Sequence, residues 1–408
     1  MSDRQGSLLG GALLITGSCV GAGMLGLPIL TGLAGFVPAF LMFCIAWLFM
    51  TCTAFLLIEV NSWFVRPVNL LTMIEHALGS FGKRVCWVVY VFLFYALLVA
   101  YISASGNLCT SFFAGVFDVK LPMWVGNVVL VSLFGFVVYQ GTRAVDLWNR
   151  ALMIGKILCF LALVVLGVQQ VQVKLLTHVD MKVSLFSLPI LLISFGYHNM
   201  IPSLMTYMHG DVKRVRKAIL LGSLLAFFLY FVWEFLVLGI VPIEGTHGLI
   251  ASYLQDMEGA QALARFVTSP WLGICAQGLA FFAILTSFLA QALSLVHFLG
   301  DGLGLTQQKK EHVHLCVLVL LPPLLLSWIY PKLFFGALNF AGGICAIVLF
   351  GVLPVLAVWI GRYRKQEQSS YRLLGGRGVL LGILTFGLFV FSFEFLVMSG
   401  VLSLTKQL

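Results

Sequence analysis

The sequence predicts an all-α integral membrane protein of eleven spans, built as two five-helix halves of opposite orientation plus one further helix. Three observations carry this. Of 408 residues, 61% are apolar and only 10% charged, and the mean hydropathy is +1.05, whereas an average soluble domain has about 25% charged and 45–50% apolar residues. The apolar residues fall into continuous runs of about 20, the length a helix needs to cross the hydrocarbon core. Two of those runs are interrupted near their middles by Gly, small polar residues and a downstream Pro.

This composition excludes a water-soluble globule, because so few charges cannot assemble a solvated surface. It also excludes a membrane β-barrel, whose strands alternate over about ten residues. The net charge of +9 and pI near 9.1 reflect Lys and Arg in short loops, so they report topology and imply no nucleic acid partner. The nine cysteines are scattered singly with no C-x-x-C pair, as buried free thiols are, and not as a disulfide framework or zinc site. No cofactor or metal motif is present. The first apolar run lacks a cleavage-site pattern and is expected to remain as a span.

The spans fall at about 7–33, 37–60, 85–108, 123–140, 146–168, 183–208, 218–241, 270–299, 313–330, 334–360 and 378–402. Each is expected to be a helix, since lipid offers the backbone no hydrogen-bond partner. With the N-terminus in the cytoplasm, only Lys120, Lys174, Lys182, Arg265, Lys332 and Lys406 of the 24 basic residues fall on the opposite side. That bias sets the orientation, and eleven spans then place the C-terminus in the periplasm.

The first span contains Gly17-Ser18-Cys19-Val20-Gly21-Ala22-Gly23-Met24-Leu25-Gly26-Leu27-Pro28, and the sixth contains Ser194-Phe195-Gly196-Tyr197-His198-Asn199-Met200-Ile201-Pro202-Ser203. Gly costs about 1 kcal/mol and Pro about 3 kcal/mol in a helix interior, so both clusters unwind the backbone. Unwound backbone at membrane depth survives only where it is buried in protein or lines a wet cavity. The breaks lie about 178 residues apart, and the spans after each pair at matching offsets. Five spans followed by five force opposite orientations, the inverted-repeat layout of secondary transporters. The halves are 1–182 and 183–360, with 361–408 holding a loop and the last helix.

The stretch from Gly17 to Pro28 resembles the first-helix signature of the hydroxy and aromatic amino acid permeases, within the amino acid–polyamine–organocation superfamily. Phe195 to Ser203, and Leu285-Thr286-Ser287-Phe288-Leu289 of span eight, are similar to elements of the same group. The sequence departs from that signature at Cys19 and Val20, where a hydroxyl residue and Ile are expected. The resemblance implies a LeuT-like five-plus-five inverted repeat and proton-driven uptake of aromatic amino acids, tyrosine first, across a bacterial inner membrane.

A zwitterionic amino acid needs donors for its carboxylate and acceptors for its ammonium. The amides of Gly21, Ala22 and Gly23 open the second half of span one, and a helix N-terminus favours an anion. Val20 shares that break. The carbonyls of Gly17, Ser18, Phe195 and Gly196 are candidate acceptors. Span three carries Tyr90, Phe92, Phe94, Tyr95 and Tyr101, of which Tyr95 and Tyr101 are candidates to stack on the substrate. His198, Asn199 and Gln291 are candidates to bond a substrate hydroxyl, and His198 alternatively acts as a gate. Lys156 of span five either snorkels to the cytoplasmic surface or lies beside span one and Thr286-Ser287. In sodium-coupled relatives the span-eight hydroxyls help hold an ion, and a lysine in its place would make the cycle proton-driven. Thr286 and Ser287 keep sodium coupling as the rival. Among intramembrane acids, Glu234 is the candidate for the proton path, Glu59 is expected to pair with a loop Arg, and Glu394 to be structural. A sodium-coupled or serine/threonine-type carrier is the alternative transporter. A membrane enzyme is disfavoured, since no H-E-x-x-H motif or carboxylate cluster is present.

Overall fold

The structure, a computed structural model, describes residues 6–119, 121–304, 309–369 and 371–407. Among them the regular structure is entirely helical. The first span is a bent pair, α1 (Leu8–Cys19) and α2 (Ala22–Gly32), whose axes differ by 59°. The Ser7 hydroxyl caps α1 by accepting from the Gly10 N–H at 2.9 Å. Helix α3 (Phe36–Asn61) follows Gly35, whose φ of +96° suits glycine. Helix α4 (Leu70–Phe117) is two helices joined at Gly79, where φ is +74°. The expected third span therefore begins just after Gly79, several residues before 85. Helices α5 (Met123–Tyr139) and α6 (Thr142–Gly167) complete the first half.

The second break separates α7 (Leu188–Ser194) from α8 (Ile201–Tyr207), with Pro189 and Pro202 in their first turns, where a missing N–H is harmless. Then come α9 (Val212–Ile240), two short helices α10 (Leu249–Leu254) and α11 (Gly259–Phe266), and the long α12 (Pro270–Leu303) and α13 (Lys309–Ile329). The tenth membrane segment starts as α14 (Phe334–Asn339), widens to a π-helix over Phe340–Val352 and continues as α15 (Leu353–Ile360). Helix α16 (Gly376–Met398) is last.

By length and apolarity, nine helices among the described residues can cross a membrane, and the bent α1–α2 pair makes ten. Helix α5, expected as the fourth span, has 17 residues and falls just short of that length. The lipid-facing surface is apolar: Leu133, Phe136, Leu158, Leu161, Val165 and Phe395 are all exposed. The interior is closed by α1 packed along α9 and α12 packed along α6.

Buried charges are paired where they pack at the basic end. Glu59 receives Arg362 through two bonds of 2.6 and 2.5 Å and the Leu373 N–H at 2.9 Å, which meets the expectation that it pairs with Arg. Glu394 is buried against the glycine face of the π-helix, where a Cβ on Gly343 would lie 2.6 Å from its Cγ.

The other end is sealed by the α10–α11 hairpin, which carries two buried acids outside the spans. Asp256 accepts from the Phe334 and Phe335 amides at 2.7 and 3.1 Å, capping α14. Glu258 caps α11 through the Ala260 and Gln261 amides at 2.6 and 3.0 Å. Burial outweighs these bonds and pushes Asp256 up to about 6 and Glu258 up to about 8. A raised pKa means the packed lid binds protons more tightly than an opened one, so packing is favoured at low pH and weakens as pH rises through 6 to 8. Amide exchange in 249–266 should therefore accelerate between pH 5.5 and 8.5 beyond its intrinsic pH dependence, and Glu258→Gln should flatten the upper part of that rise. An unchanged profile in the variant would contradict this assignment.

Candidate functional site

The two breaks face each other in the middle of the bundle. At the first, Gly21 is the N-cap of α2 in extended backbone, and its N–H turns back to Cys19 O at 2.8 Å. At the second, the Gly196 N–H goes to Ile193 O at 3.0 Å and the Tyr197 N–H to Phe195 O at 3.0 Å. One side chain joins them. The buried Tyr230 hydroxyl of α9 lies 2.7 Å from both Cys19 O and Ser194 O. Trp233, one helical turn on, donates to Met24 O at 3.1 Å.

A cavity of about 400 Å³ lies between the breaks. Its backbone wall is Gly17 to Gly23 with Ile193, Ser194 and Gly196. The carbonyls of Gly17 and Ser18, at the C-terminus of α1, take no hydrogen bond among the described residues, and neither does the Gly23 amide. The Ala22 N–H is held by Ser287 Oγ at 2.9 Å, and the Met24 N–H by Gly21 O at 3.2 Å. A Cβ on Gly21 would lie 2.6 Å from Ser287 Oγ, so a side chain there displaces the hydroxyl that holds the Ala22 amide. The site thus has a negative helix end and a positive helix end facing one space.

The opposite wall is aromatic, formed by Tyr90, Phe94, Tyr101 and Phe350. The Tyr101 ring shares this wall with Ser287 of α12. Asn149, Asn199, Gln291 and Ser294 add polar groups, and the buried Asn149 Oδ1 has no partner among the described residues.

Lys156 does not snorkel. It is 3% exposed, and its ammonium donates to Val20 O at 2.7 Å and to Thr286 Oγ1 at 3.5 Å. The Thr286 proton is directed to Phe282 O or Ala283 O at 2.9 and 3.1 Å, so its oxygen is free to accept. One cation therefore links α6, the first break and α12.

The cavity opens toward one end only. Leu13, Leu14, Gly17, Ser18, Asn199, Ala290 and Ser294 are its exposed lining. From Met24 to Leu33 every residue of the first span is buried. The open end is the one that bears the basic loops around Arg143, Lys213 and Arg362.

Of the residues expected from sequence, Gly17, Ser18, Val20, Gly21, Ala22, Gly23, Tyr101, Gly196, Asn199, Gln291, Lys156, Thr286 and Ser287 all line this cavity. Four lie elsewhere. Tyr95 points away, its hydroxyl donating to Leu318 O at 2.7 Å, because it falls on the outer face of α4. Phe195 offers no free carbonyl, since its oxygen takes the Tyr197 N–H at 3.0 Å, and its ring packs behind the break on Phe43 and Tyr230. His198 is fully buried against Thr53 and Phe350. Glu234 lies beyond the closed end of the cavity, with its Oε2 2.9 Å from Thr31 Oγ1. Phe350, Tyr230 and Asn149 were not singled out from sequence. Tyr230 carried a signal, since a phenol inside a span needs a partner for its O–H. Phe350 carried none, being one Phe in an apolar run.

The single Tyr230 proton serves Cys19 O or Ser194 O, so removing the hydroxyl should strand a buried carbonyl at one of the breaks, at a cost of about 1–3 kcal/mol. Tyr230→Phe is expected to melt at lower temperature in detergent by a matching amount, and an unshifted melt would refute the bridging role.

A profile described as the tryptophan/tyrosine permease family matches residues 4–394. The chain is 29% identical to the "Tyrosine-specific transport system 1" of Haemophilus influenzae, with 97% of this chain and 98% of the relative covered. It is 27% identical to the "Tryptophan-specific transport protein" of the same organism, with 95% of each covered. Among solved structures it resembles MhsT, crystallised in complex with L-phenylalanine, at a TM-score of 0.62 and 16% identity over 96% of this chain and 99% of that one. The fold is accordingly that of the LeuT-like transporters. With a match that runs through both unwound segments and nearly the whole length, the chain belongs to the tryptophan/tyrosine permease family, and is a membrane permease and not an enzyme.

Proposed function

We propose that this permease imports an aromatic amino acid, tyrosine first, together with a proton, by alternating access across a bacterial inner membrane. The observation that carries this reading is the convergence of unpartnered peptide groups and an aromatic wall on one cavity. The Gly23 amide at the start of α2 meets the substrate carboxylate, with the Ala22 amide joining if Ser287 yields it. The Gly17 and Ser18 carbonyls meet the ammonium. The ring lies among Tyr90, Phe94, Tyr101 and Phe350, within reach of Asn199 and Gln291. Among the described residues no acidic side chain lines the cavity, which fits a net-neutral zwitterion better than a cation. With α5 counted as a short, tilted span there are eleven, the N-terminus is cytoplasmic and the C-terminus periplasmic. The structure is then the cytoplasm-facing state.

Lys156 is the proposed coupling group. Charged, it binds Val20 O and Thr286 Oγ1, drawing the first break onto α6 and α12. Neutral, it loses the charge-assisted part of both bonds, which loosens the break and favours release. Proton release to the cytoplasm is thereby tied to substrate release. Glu234 lies outside this assembly, so its expected place on the proton path has no support in its position.

Gly21→Leu should abolish tyrosine uptake while leaving membrane insertion intact, read by labelled uptake beside a surface-expression control; retained transport would remove the carboxylate site. In proteoliposomes, an inward pH gradient should drive accumulation by the wild type and not by Lys156→Ala. Accumulation driven by a sodium gradient alone would favour the sodium-coupled alternative. Competition by unlabelled tyrosine, tryptophan, phenylalanine, serine and glutamine ranks the substrate.

A further inference from the structure

His198 sits in the second break, yet it contributes no atom to the cavity and is 0% exposed. Its ring lies flat against Phe350, with centroids 4.6 Å apart and planes 15° apart, and nearly parallel to Tyr197 at 5.3 Å and 23°. Phe350 does line the cavity. Tyr90 meets the Phe350 ring edge-on at 6.3 Å and 75°. Phe298, outside the cavity, supports Tyr90 and Phe94 at 5.4 and 5.9 Å. The aromatic wall is therefore two rings deep, and His198 is the inner layer behind Phe350.

The imidazole is tethered on its Nε2 side, where Thr53 and the Met50 carbonyl lie. His198 Nε2 lies 2.8 Å from Thr53 Oγ1, whose proton is directed to Met50 O at 3.1 Å. The network thus assigns the hydrogen to Nε2, leaving Nδ1 bare and unpartnered. Thr53 belongs to α3 and is itself fully buried, so the plane of the imidazole is fixed from outside the break. The Phe350 backbone is fixed as well. It lies in the π-helix, whose Gly342 packs so closely on the Pro189 carbonyl of α7 that a Cβ there would collide. The interruption that unwinds the sixth span and the widening of the tenth thus bring these two rings face to face.

We propose that His198 is a positioning residue for selectivity: tethered by Thr53, it holds the Phe350 ring as the platform on which a planar aromatic side chain of the substrate stacks. This rests on the aromatic-substrate reading above and adds which ring makes the contact and what holds it. The ligand class it recognises is a flat six-membered or fused ring, as against a saturated ring of equal bulk. Stacking geometry distinguishes these two while burial of apolar area does not.

The test compares wild type, His198→Ala, His198→Phe and Phe350→Leu in proteoliposomes. The readouts are KM and Vmax for tyrosine, and the inhibition constants of phenylalanine and cyclohexylalanine. His198→Ala and Phe350→Leu should raise KM about 3- to 10-fold with Vmax within about 2-fold. In both, the preference for phenylalanine over cyclohexylalanine should shrink by a similar factor. His198→Phe keeps the stacked ring and loses the tether, so its preference should fall between those of wild type and His198→Ala; it and Phe350→Leu keep bulk in the core and remain readable if His198→Ala fails to reach the membrane. The proposal is overturned if His198→Phe loses the preference completely, if the two inhibitors weaken equally, or if only Vmax falls. A wild type that takes up no aromatic amino acid would overturn the substrate reading itself, and the platform with it.

Discussion

Lipid supplies no hydrogen-bond partners, and this constraint organises the structure. A helix satisfies its own amides and carbonyls, so interrupting one at membrane depth creates groups that the rest of the protein must answer. Here the interruptions fall at Gly21 and Gly196, and the surrounding helices supply the answers. Tyr230 reaches Cys19 O and Ser194 O, Trp233 reaches Met24 O, Ser287 holds the Ala22 amide, and Lys156 holds Val20 O. The groups left over, the Gly17 and Ser18 carbonyls and the Gly23 amide, border the cavity. On the proposed reading, the binding chemistry is what remains when the protein has paired the other broken peptide groups.

That division explains why the site needs no acidic side chain. A carboxylate at this depth is costly unless paired, and among the described residues the buried acids sit away from the cavity. Glu59 is neutralised by Arg362 near the basic end, and Asp256 and Glu258 cap helices of the lid. The buried cation among the described residues of the site, Lys156, is placed on the backbone of the break and not on a counter-ion. On the coupling proposed for it, its charge state acts on the geometry of the peptide groups themselves. The asymmetry of the first span, exposed along α1 and buried from Met24 onward, makes this the conformation open at the basic end.

Much of this was legible in the sequence because it is written in backbone chemistry. Gly17 to Pro28 and Ser194 to Ser203 announce broken helices through glycine and proline alone, and Lys156, Thr286 and Ser287 stand out as polar groups in apolar runs. The side-chain wall was harder. Tyr95 and Tyr101 are six residues apart and look alike in sequence, but helical periodicity turns Tyr95 toward Leu318 and leaves Tyr101 on the cavity. Periodicity gives the angle between residues, not which face meets the cavity. Phe195 and His198 lie within the break, where the absence of a regular helix removes even the angular rule. Phe350 arises from a π-helix that an uninterrupted apolar run does not signal. The kink at Gly79 was likewise hidden among residues that favour helix on both sides.

The central claim is that bare peptide groups, and not charged side chains, grip both ends of a small zwitterion. Equilibrium binding of tyrosine to the purified protein, beside tyramine and 3-(4-hydroxyphenyl)propionate, tests it most directly. Tyramine lacks the carboxylate and the propionate lacks the ammonium, while both keep the phenol. The account predicts that each analogue binds at least about 100-fold more weakly than tyrosine, since each leaves one set of helix-end groups without its charge-assisted partner. Binding of either analogue as tight as that of tyrosine would contradict it.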